Sequence, residues 1–240
     1  MTYSQLWRRL LPLYDEREAK AVVRTLLEER FNLTLTDLYT DGLDRLTDDE
    51  KTRMETLIER LEAGEPVQYV VGKARFCGRD YMVAPGVLIP RPETEMLCKE
   101  VISAYNRSYC ALQPPEPLRV LDIGTGSGCI AVTLALDLWN CTVTAWDISG
   151  DALIIARENA HRLQAHVNLE LQDALNPDEM ALNALPFDII VSNPPYICIR
   201  ESKDMAKHVL AHEPHTALFV PDDDPLLFYR SIARYGLSHL

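Results

Sequence analysis

The stretch "VLDIGTGSGCIAV", residues 120–132, has the pattern of an apolar strand, a turn with three glycines and the start of a helix. Glycine permits left-handed backbone conformations and lets a ligand approach the main chain and the helix N-terminus closely. The dinucleotide fingerprint G-x-G-x-x-G would place its third glycine at position 129, which is Cys129. The observed G-x-G-x-G spacing therefore favours a ligand-binding turn of another type, with a plain tight turn as the alternative.

The chain around this turn shows a repeated alternation of predicted strands and helices. From Leu118 onward, short apolar runs alternate with helical stretches of ten to fifteen residues. This alternation predicts a parallel sheet in a doubly wound, Rossmann-like α/β fold. The predicted strands end near Ile123, Asp147, Asp173 and Ser192.

The N-terminal region has a different, helical pattern. Apolar residues recur at helical spacing over the first sixty or so residues, and Thr47 with Glu50 forms a predicted capping box. A hairpin is predicted around Gly78, and the proline-rich stretch at 113–117 interrupts the chain before the sheet begins. The apolar positions are Ala19, Val22, Val23, Leu26 and Leu27 on one helix and Met54, Leu57, Ile58 and Leu61 on another.

Two acidic residues stand at predicted strand ends. Asp147 follows Gly124 by 23 residues, where a carboxylate can accept hydrogen bonds from both hydroxyls of a ribose. The turn and the acid resemble those of the S-adenosylmethionine-dependent methyltransferases. The same resemblance implies that Asp173 and Ala174 lie beside the adenine. A capping or solvated acid remains the alternative for Asp147, and an ordinary strand-end turn for Asp173 and Ala174.

The motif "NPPY", residues 193–196, follows the fourth predicted strand and should face the reactive end of the cofactor. The prolines lack N–H groups, so the loop is stiff and offers hydrogen-bond acceptors, which suits a substrate –NH₂ group. The Asn193 side-chain oxygen and the Pro194 carbonyl could accept both hydrogens, and Tyr196 could stack on a planar substrate. An Asn-Pro turn that merely ends a strand is the alternative.

Composition excludes several classes of protein. The net charge of −12 argues against nucleic acid as a direct partner, and no stretch is long and apolar enough to span a membrane. The six cysteines are scattered without a C-x-x-C pair, which argues against a zinc site and a disulfide framework. His208 and His212 are one helical turn apart but lack further ligands, so no metal site is expected. A cytoplasmic protein is expected.

The segments "GEPVQYVVGKARFCGRDYMVAPGVLIPRPETE", "DIGTGSG", "VSNPPYI" and "HEPHTAL" together resemble the HemK (PrmC) family of peptide chain release factor glutamine methyltransferases. The resemblance runs from about Leu6 to the end of the chain. It implies S-adenosylmethionine-dependent methylation of the glutamine amide (N5) in the Gly-Gly-Gln motif of release factors. It also implies a helical release factor-recognition domain at 1–70, a β-hairpin linker at 71–91 and a Rossmann-like, class I methyltransferase domain at 92–240.

The resemblance assigns roles to individual residues. Asn193, Pro194 and Tyr196 would be catalytic, and with Pro195 they would hold the substrate glutamine. The cofactor would contact Gly124, Thr125, Gly126, Ser127, Gly128, Asp147, Asp173, Ala174 and Asn193.

The sequence allows two roles for the residues around the start of the helix at 92. Arg91 and Glu93 could line the mouth of the site or form a salt-bridged helix start, and Asp222 to Asp224 look like a solvated loop.

A DNA or RNA amino-group methyltransferase is the main alternative function, although such an enzyme should show a basic face. A nucleotide-binding oxidoreductase and a catalytically silent binding module are less consistent with Cys129 and the intact "NPPY".

The resemblance also implies three further strands beyond the fourth. We therefore expect the chain to be C-terminally truncated within the sheet, with "FDIIVSN" as an edge strand, weak cofactor binding and low stability. The full-length protein is expected to be a monomer.

Overall fold

The computed structural model describes residues 2–112 and 116–240, so the predicted break at 113–117 lies mostly outside the described residues. Short 3-10 helices lie at Asp41–Arg45, Ile199–Asp204 and His215–Ala217. The α-helices are α1 (Tyr3–Arg9), α2 (Glu16–Phe31), α3 (Leu35–Tyr39), α4 (Asp48–Glu62), α5 (Val67–Val71), α6 (Pro92–Leu112), α7 (Cys129–Asp137), α8 (Gly150–Arg162), α9 (Glu179–Leu182), α10 (Lys207–His212) and α11 (Leu227–His239). The strands are β1 (Lys73–Phe76), β2 (Arg79–Met82), β3 (Leu118–Ile123), β4 (Cys141–Asp147), β5 (Val167–Leu171), β6 (Ile189–Ser192), β7 (Ile197–Cys198) and β8 (Phe219–Val220).

The chain divides into two compact units. The first runs to Gly72 and includes Ala206–His212, and the second comprises Lys73–Met205 and Glu213–Leu240. The hairpin therefore belongs to the second unit. There Arg79 pairs with Asp137 on α7 at 2.5 Å, because a charged strand end lies beside the end of that helix.

The first unit is a helical bundle around its own apolar core. The predicted capping box is confirmed, since Thr47 Oγ1 accepts from the Glu50 N–H at 3.3 Å and Glu50 accepts from the Thr47 N–H at 2.9 Å. The predicted helical faces are also confirmed, with Val22 only partly buried. The core includes Leu6, Leu10, Ala19, Val23, Leu26, Leu27, Met54, Leu57, Ile58 and Leu61.

The second unit contains the predicted parallel sheet, in the order β5-β4-β3-β6. Side chains of β3 alternate between its two faces, with Val120 in one core cluster and Leu121 and Ile123 in the other. The sheet is thus buried on both faces, as is usual for parallel strands. Within the part of the chain that the structure describes, β6 lies at one edge of this sheet.

Two short elements were not predicted. Strands β7 and β8 form a separate parallel pair in which Ile197 is opposite Phe219 and Cys198 is opposite Val220. Each has only two residues, too few to show an alternating pattern. This pair connects the segment after "NPPY" with the segment after "HEPHTAL".

Candidate active site

The glycine turn joins β3 to α7 at the carboxyl edge of the sheet. The N–H groups of Gly124 and Thr125 both donate to the Trp146 carbonyl at 2.9 Å, which fixes the turn against β4. Gly124 and Gly126 have φ angles of +75° and +55°, and a Cβ on either would meet no atom within 4 Å in the described structure. The backbone here is therefore accessible to a ligand, as the sequence predicted.

Gly128 has a different role from the other two glycines. Its φ is +79°, and a Cβ there would lie 3.0 Å from the Ala156 Cβ on α8. The Ser127 carbonyl, one residue earlier, accepts from Asn159 Nδ2 on the same helix at 2.9 Å. Gly128 thus allows α7 and α8 to pack closely.

Substituting Gly128 by alanine tests this packing. We expect Gly128→Ala to lower the free energy of unfolding by about 1–2 kcal/mol for the left-handed backbone and by about 1–3 kcal/mol more for the close contact with Ala156. The matched control is Gly78→Ala in the hairpin turn, with φ +78° and no atom within 4 Å of the added Cβ. Chemical denaturation of both variants measures the difference. Equal losses in the two variants would show that the contact with Ala156 does not restrict which residue fits at position 128.

Asp147 lies directly against the glycine turn. Its Oδ2 accepts from the Gly126 N–H at 2.8 Å, and its Oδ1 accepts from the Ser149 N–H at 2.9 Å. Asp147 is half-buried at the end of β4. A carboxylate oxygen can accept a second hydrogen bond, so Asp147 can shape the turn and still bind two hydroxyl groups.

Asp173 follows β5 at the same edge. Its carboxylate accepts from the Leu175 N–H at 2.8 Å and from Asn176 Nδ2 at 3.1 Å, so it holds its own turn in place. The Ala174 carbonyl accepts from Ser231 Oγ on α11 at 2.6 Å. The turn lies next to the end of β4, since the Gln172 N–H donates to the Asp147 carbonyl at 3.0 Å.

The "NPPY" loop begins beside the glycine turn. Strand β6 pairs with β3 so that Ser192 is opposite Ile123, and Ser192 Oγ donates to the Ile123 carbonyl at 2.6 Å. Asn193 and Gly124 are the next residues on these two adjacent strands, which places them at the same edge. Pro194 is buried and Pro195 half-buried, whereas Tyr196 is 56% exposed.

Comparison with known proteins decides the family. Residues 5–72 match the PrmC N-terminal domain and residues 110–219 match the methyltransferase small domain. A release factor glutamine methyltransferase of Bacteroides thetaiotaomicron is 43% identical over 227 residues, which are 95% of this chain and 78% of that protein. The chain belongs to the release factor glutamine methyltransferase family.

Other members of this family show similar coverage. The release factor glutamine methyltransferase of Flavobacterium psychrophilum is 37% identical over 99% of this chain and 81% of its own length. That of Koribacter versatilis is 45% identical over 85% and 70%, respectively. The resemblance inferred from the motifs and the class I methyltransferase fold are thus confirmed. Among solved structures, a Thermus thermophilus 16S rRNA methyltransferase matches 52% of this chain and 32% of its own at 23% identity, with a TM-score of 0.41.

Asp122 is a candidate functional residue that the sequence pattern did not indicate. It lies in β3 with no exposed surface, and its Oδ2 accepts from Thr125 Oγ1 at 2.7 Å and from the Ala131 N–H at 3.1 Å. It therefore joins strand, turn and helix. Burial raises the pKa of Asp122 to about 7, against the lowering effect of these two hydrogen bonds, and the charge of Asp147 raises it further. An acid within the apolar run "VLDI" was the signal that could have found it.

The raised pKa of Asp122 predicts a specific pH dependence. Between the ordinary value of 3.8 and about 7 the folded state keeps a proton that the unfolded state has lost. The contribution of Asp122 to stability is therefore complete below pH 3.8 and is lost as the pH rises through about 7. We expect Asp122→Asn, which stays neutral, to gain stability relative to the unsubstituted protein across this window. Urea denaturation of both proteins at several pH values measures it, and a constant difference would contradict the raised pKa.

Arg91 and the buried Glu213 form a salt bridge before α6. Arg91 Nη2 lies 2.6 Å from Glu213 Oε1, and Glu213 Oε2 accepts from the Ile89 N–H at 3.2 Å. Glu93 is exposed at the start of α6. Of the two interpretations left open by the sequence, these contacts favour the salt-bridged helix start.

The segment 222–224 is held by hydrogen bonds rather than being simply solvated. Asp222 Oδ1 accepts from the Arg200 N–H at 2.8 Å, and Asp224 pairs with Arg230 on α11. These contacts connect the loop to both neighbouring segments of the second unit.

Over residues 2–112 and 116–240, no group of three or more His, Cys, Asp or Glu side chains is arranged to hold a metal ion. No helix in these same ranges is long and apolar enough to cross a membrane.

Proposed function

We propose that the protein transfers a methyl group from S-adenosylmethionine to the side-chain amide (N5) of the glutamine in the Gly-Gly-Gln motif of a peptide chain release factor. The observation that carries this proposal is the placement of Asn193 at the sheet edge, one residue beyond the pairing of Ser192 with Ile123 and beside the glycine turn. The substrate is inferred from the names of the relatives, which are 37–45% identical to this protein over most of the chain. The proposed process is translation termination, and the proposed location is the cytoplasm.

The residues at this edge fit the cofactor. The accessible backbone at Gly124 and Gly126 could accommodate its methionine part, while the remaining acceptor capacity of Asp147 suits the ribose hydroxyls. Bound S-adenosylmethionine supplies an electrophilic methyl group on a positively charged sulfur. The remaining residues proposed to line its site are Thr125, Ser127, Gly128, Asp173, Ala174 and Asn193.

The proposed role of the "NPPY" loop is to orient a weak nucleophile. An amide nitrogen attacks poorly because its lone pair is delocalised into the carbonyl group. If Asn193 Oδ1 and the Pro194 carbonyl accept both amide hydrogens, the lone pair has a fixed direction, and positioning supplies most of the catalysis. The amide proton becomes acidic only once the new C–N bond forms and is then lost to water, so no residue needs to act as a base before attack.

The neighbouring residues would complete the substrate site. The ring of Tyr196, 56% exposed, could stack on the planar amide. Pro195 would keep the loop rigid, because its ring fixes φ.

The first unit is proposed to recognise the release factor. Its support is the match of residues 5–72 to the PrmC N-terminal domain and its separate apolar core. The proposed functional division is recognition by 1–70, a hairpin linker at 71–91 and methyl transfer by 92–240. The hairpin contacts α7 and is therefore part of the second unit.

The decisive experiment is transfer of labelled methyl from S-adenosylmethionine to a purified release factor. A release factor with alanine in place of the Gly-Gly-Gln glutamine serves as the matched control, and double-stranded DNA as the alternative substrate. We expect label on the unaltered release factor alone. Equal labelling of both release factors, or labelling of the DNA, would overturn the proposal.

A further inference from the structure

The side-chain amide of Asn193 is hydrogen-bonded to a residue that is distant in the sequence. Its Nδ2 donates to Thr94 Oγ1 at 3.2 Å, although the two residues are 99 positions apart. The oxygen and nitrogen of a side-chain amide lie on opposite sides of one planar group. Holding the nitrogen on Thr94 therefore turns Oδ1 away from Thr94.

Thr94 itself stands on a firmly held segment. It is 7% exposed in the first turn of α6, and its N–H donates to the Arg91 carbonyl at 3.0 Å. The guanidinium of Arg91 pairs with Glu213, whose side chain is 1% exposed and which also accepts from the Ile89 N–H. The start of α6 is thus fixed by a buried carboxylate, and Thr94 is a rigid partner for Asn193.

We propose that Thr94 is a positioning residue that sets the orientation of the Asn193 amide, so that Oδ1 is the atom presented to the substrate amide. This inference rests on the proposed function. It assigns a role to the "PETE" segment, in which Thr94 acts through Asn193. Without the threonine hydroxyl, Asn193 can rotate and present its –NH₂ group, which repels the substrate –NH₂ instead of accepting from it.

Two substitutions separate the hydroxyl group from the packing of the side chain. Thr94→Val keeps the size and removes the hydroxyl, whereas Thr94→Ser keeps the hydroxyl. We expect Thr94→Val to lower kcat about tenfold, the value of one hydrogen bond, with KM for the release factor and Kd for S-adenosylmethionine within about twofold of the unsubstituted protein. Thr94→Ser should keep most of kcat.

A matched control and a double variant test whether Thr94 acts through Asn193. Thr133→Val removes another buried hydroxyl, bonded to Tyr81 Oη at 2.8 Å, and should lower the melting temperature without lowering kcat. Thr94→Val added to Asn193→Ala should cause no further loss of kcat, because the residue that it positions is already gone.

The outcomes distinguish this proposal from the proposed function. Unchanged kcat in Thr94→Val, an equal loss in Thr94→Ser, or an additive loss in the double variant would overturn the role of Thr94 while release factor methylation stands. No methyl transfer by the unsubstituted protein, under conditions where it binds S-adenosylmethionine, would overturn the proposed function and the role of Thr94 with it.

Discussion

Substituting Asn193 by alanine is expected to lower kcat for release factor methylation about 100- to 1,000-fold, the usual effect of removing one preorganised hydrogen-bonding group from an active site. The side chain is half-buried and its amide nitrogen is held by Thr94, so its oxygen is already oriented before substrate binds. The loss should fall on kcat because the interaction matters most when the substrate nitrogen attacks. Steady-state methyl transfer at saturating cofactor and release factor measures it.

Two further variants make the interpretation of Asn193→Ala specific. Asn193→Asp keeps a side-chain oxygen but loses the hydrogen-bond donor to Thr94, so its kcat should lie between those of alanine and asparagine. Asn183→Ala is the matched control, because the Asn183 amide also donates to an oxygen, the Glu179 carbonyl at 2.7 Å, at the end of α9. Asn183→Ala should keep full activity. Normal turnover in Asn193→Ala would exclude Asn193 as the residue that orients the substrate amide.

The sheet and the glycine turn could be predicted from the sequence because their signals are local. The strands of the sheet are short and rich in apolar residues, and helices follow β3, β4 and β5. The turn needs positive φ at Gly124, Gly126 and Gly128, which only glycine adopts without strain. Asp147 was found by its spacing from the turn, and the structure brings its carboxylate to the Gly126 N–H.

The contacts that hold the site were harder to predict, because they join distant segments. Nothing in the spacing of "PETE" and "NPPY" indicates that Thr94 and Asn193 touch across 99 positions. The same holds for Arg91 and Glu213, which are 122 positions apart. Side-chain hydrogen bonds of this kind depend on the packing of the whole unit, and a single sequence contains no direct record of them.

Asp122 shows a second limit of sequence reasoning. Its place within "VLDI" is visible, but its complete burial and its bonds to Thr125 and Ala131 depend on the packing of α7 over β3. A pattern assigns an acid to a strand end, a cap or a surface much more readily than to a core. The raised pKa follows from that burial and could not be predicted from position alone.

Substituting Asp147 by alanine is expected to weaken S-adenosylmethionine binding about 100-fold. Two hydrogen bonds from ribose hydroxyls to a carboxylate contribute about 1.5 kcal/mol each at the lower end of the range for charged groups, and about 3 kcal/mol corresponds to roughly two powers of ten in Kd. Asp147→Ala also removes the acceptors for the Gly126 and Ser149 N–H groups, so the turn itself should loosen. Isothermal titration with S-adenosylmethionine measures the loss.

Comparison with two other variants separates ribose binding from support of the turn. Asp147→Asn keeps one acceptor oxygen and loses the charge, so its Kd should lie between those of the unsubstituted protein and Asp147→Ala. Asp151→Ala removes an exposed carboxylate from the first turn of α8 and serves as the control for net charge, with an unchanged Kd. NAD should give no heat with the unsubstituted protein, because the turn lacks the dinucleotide spacing. A Kd that is unchanged in Asp147→Ala would show that the carboxylate at the end of β4 serves the glycine turn alone. Heat with NAD and none with S-adenosylmethionine would overturn the assignment of the cofactor.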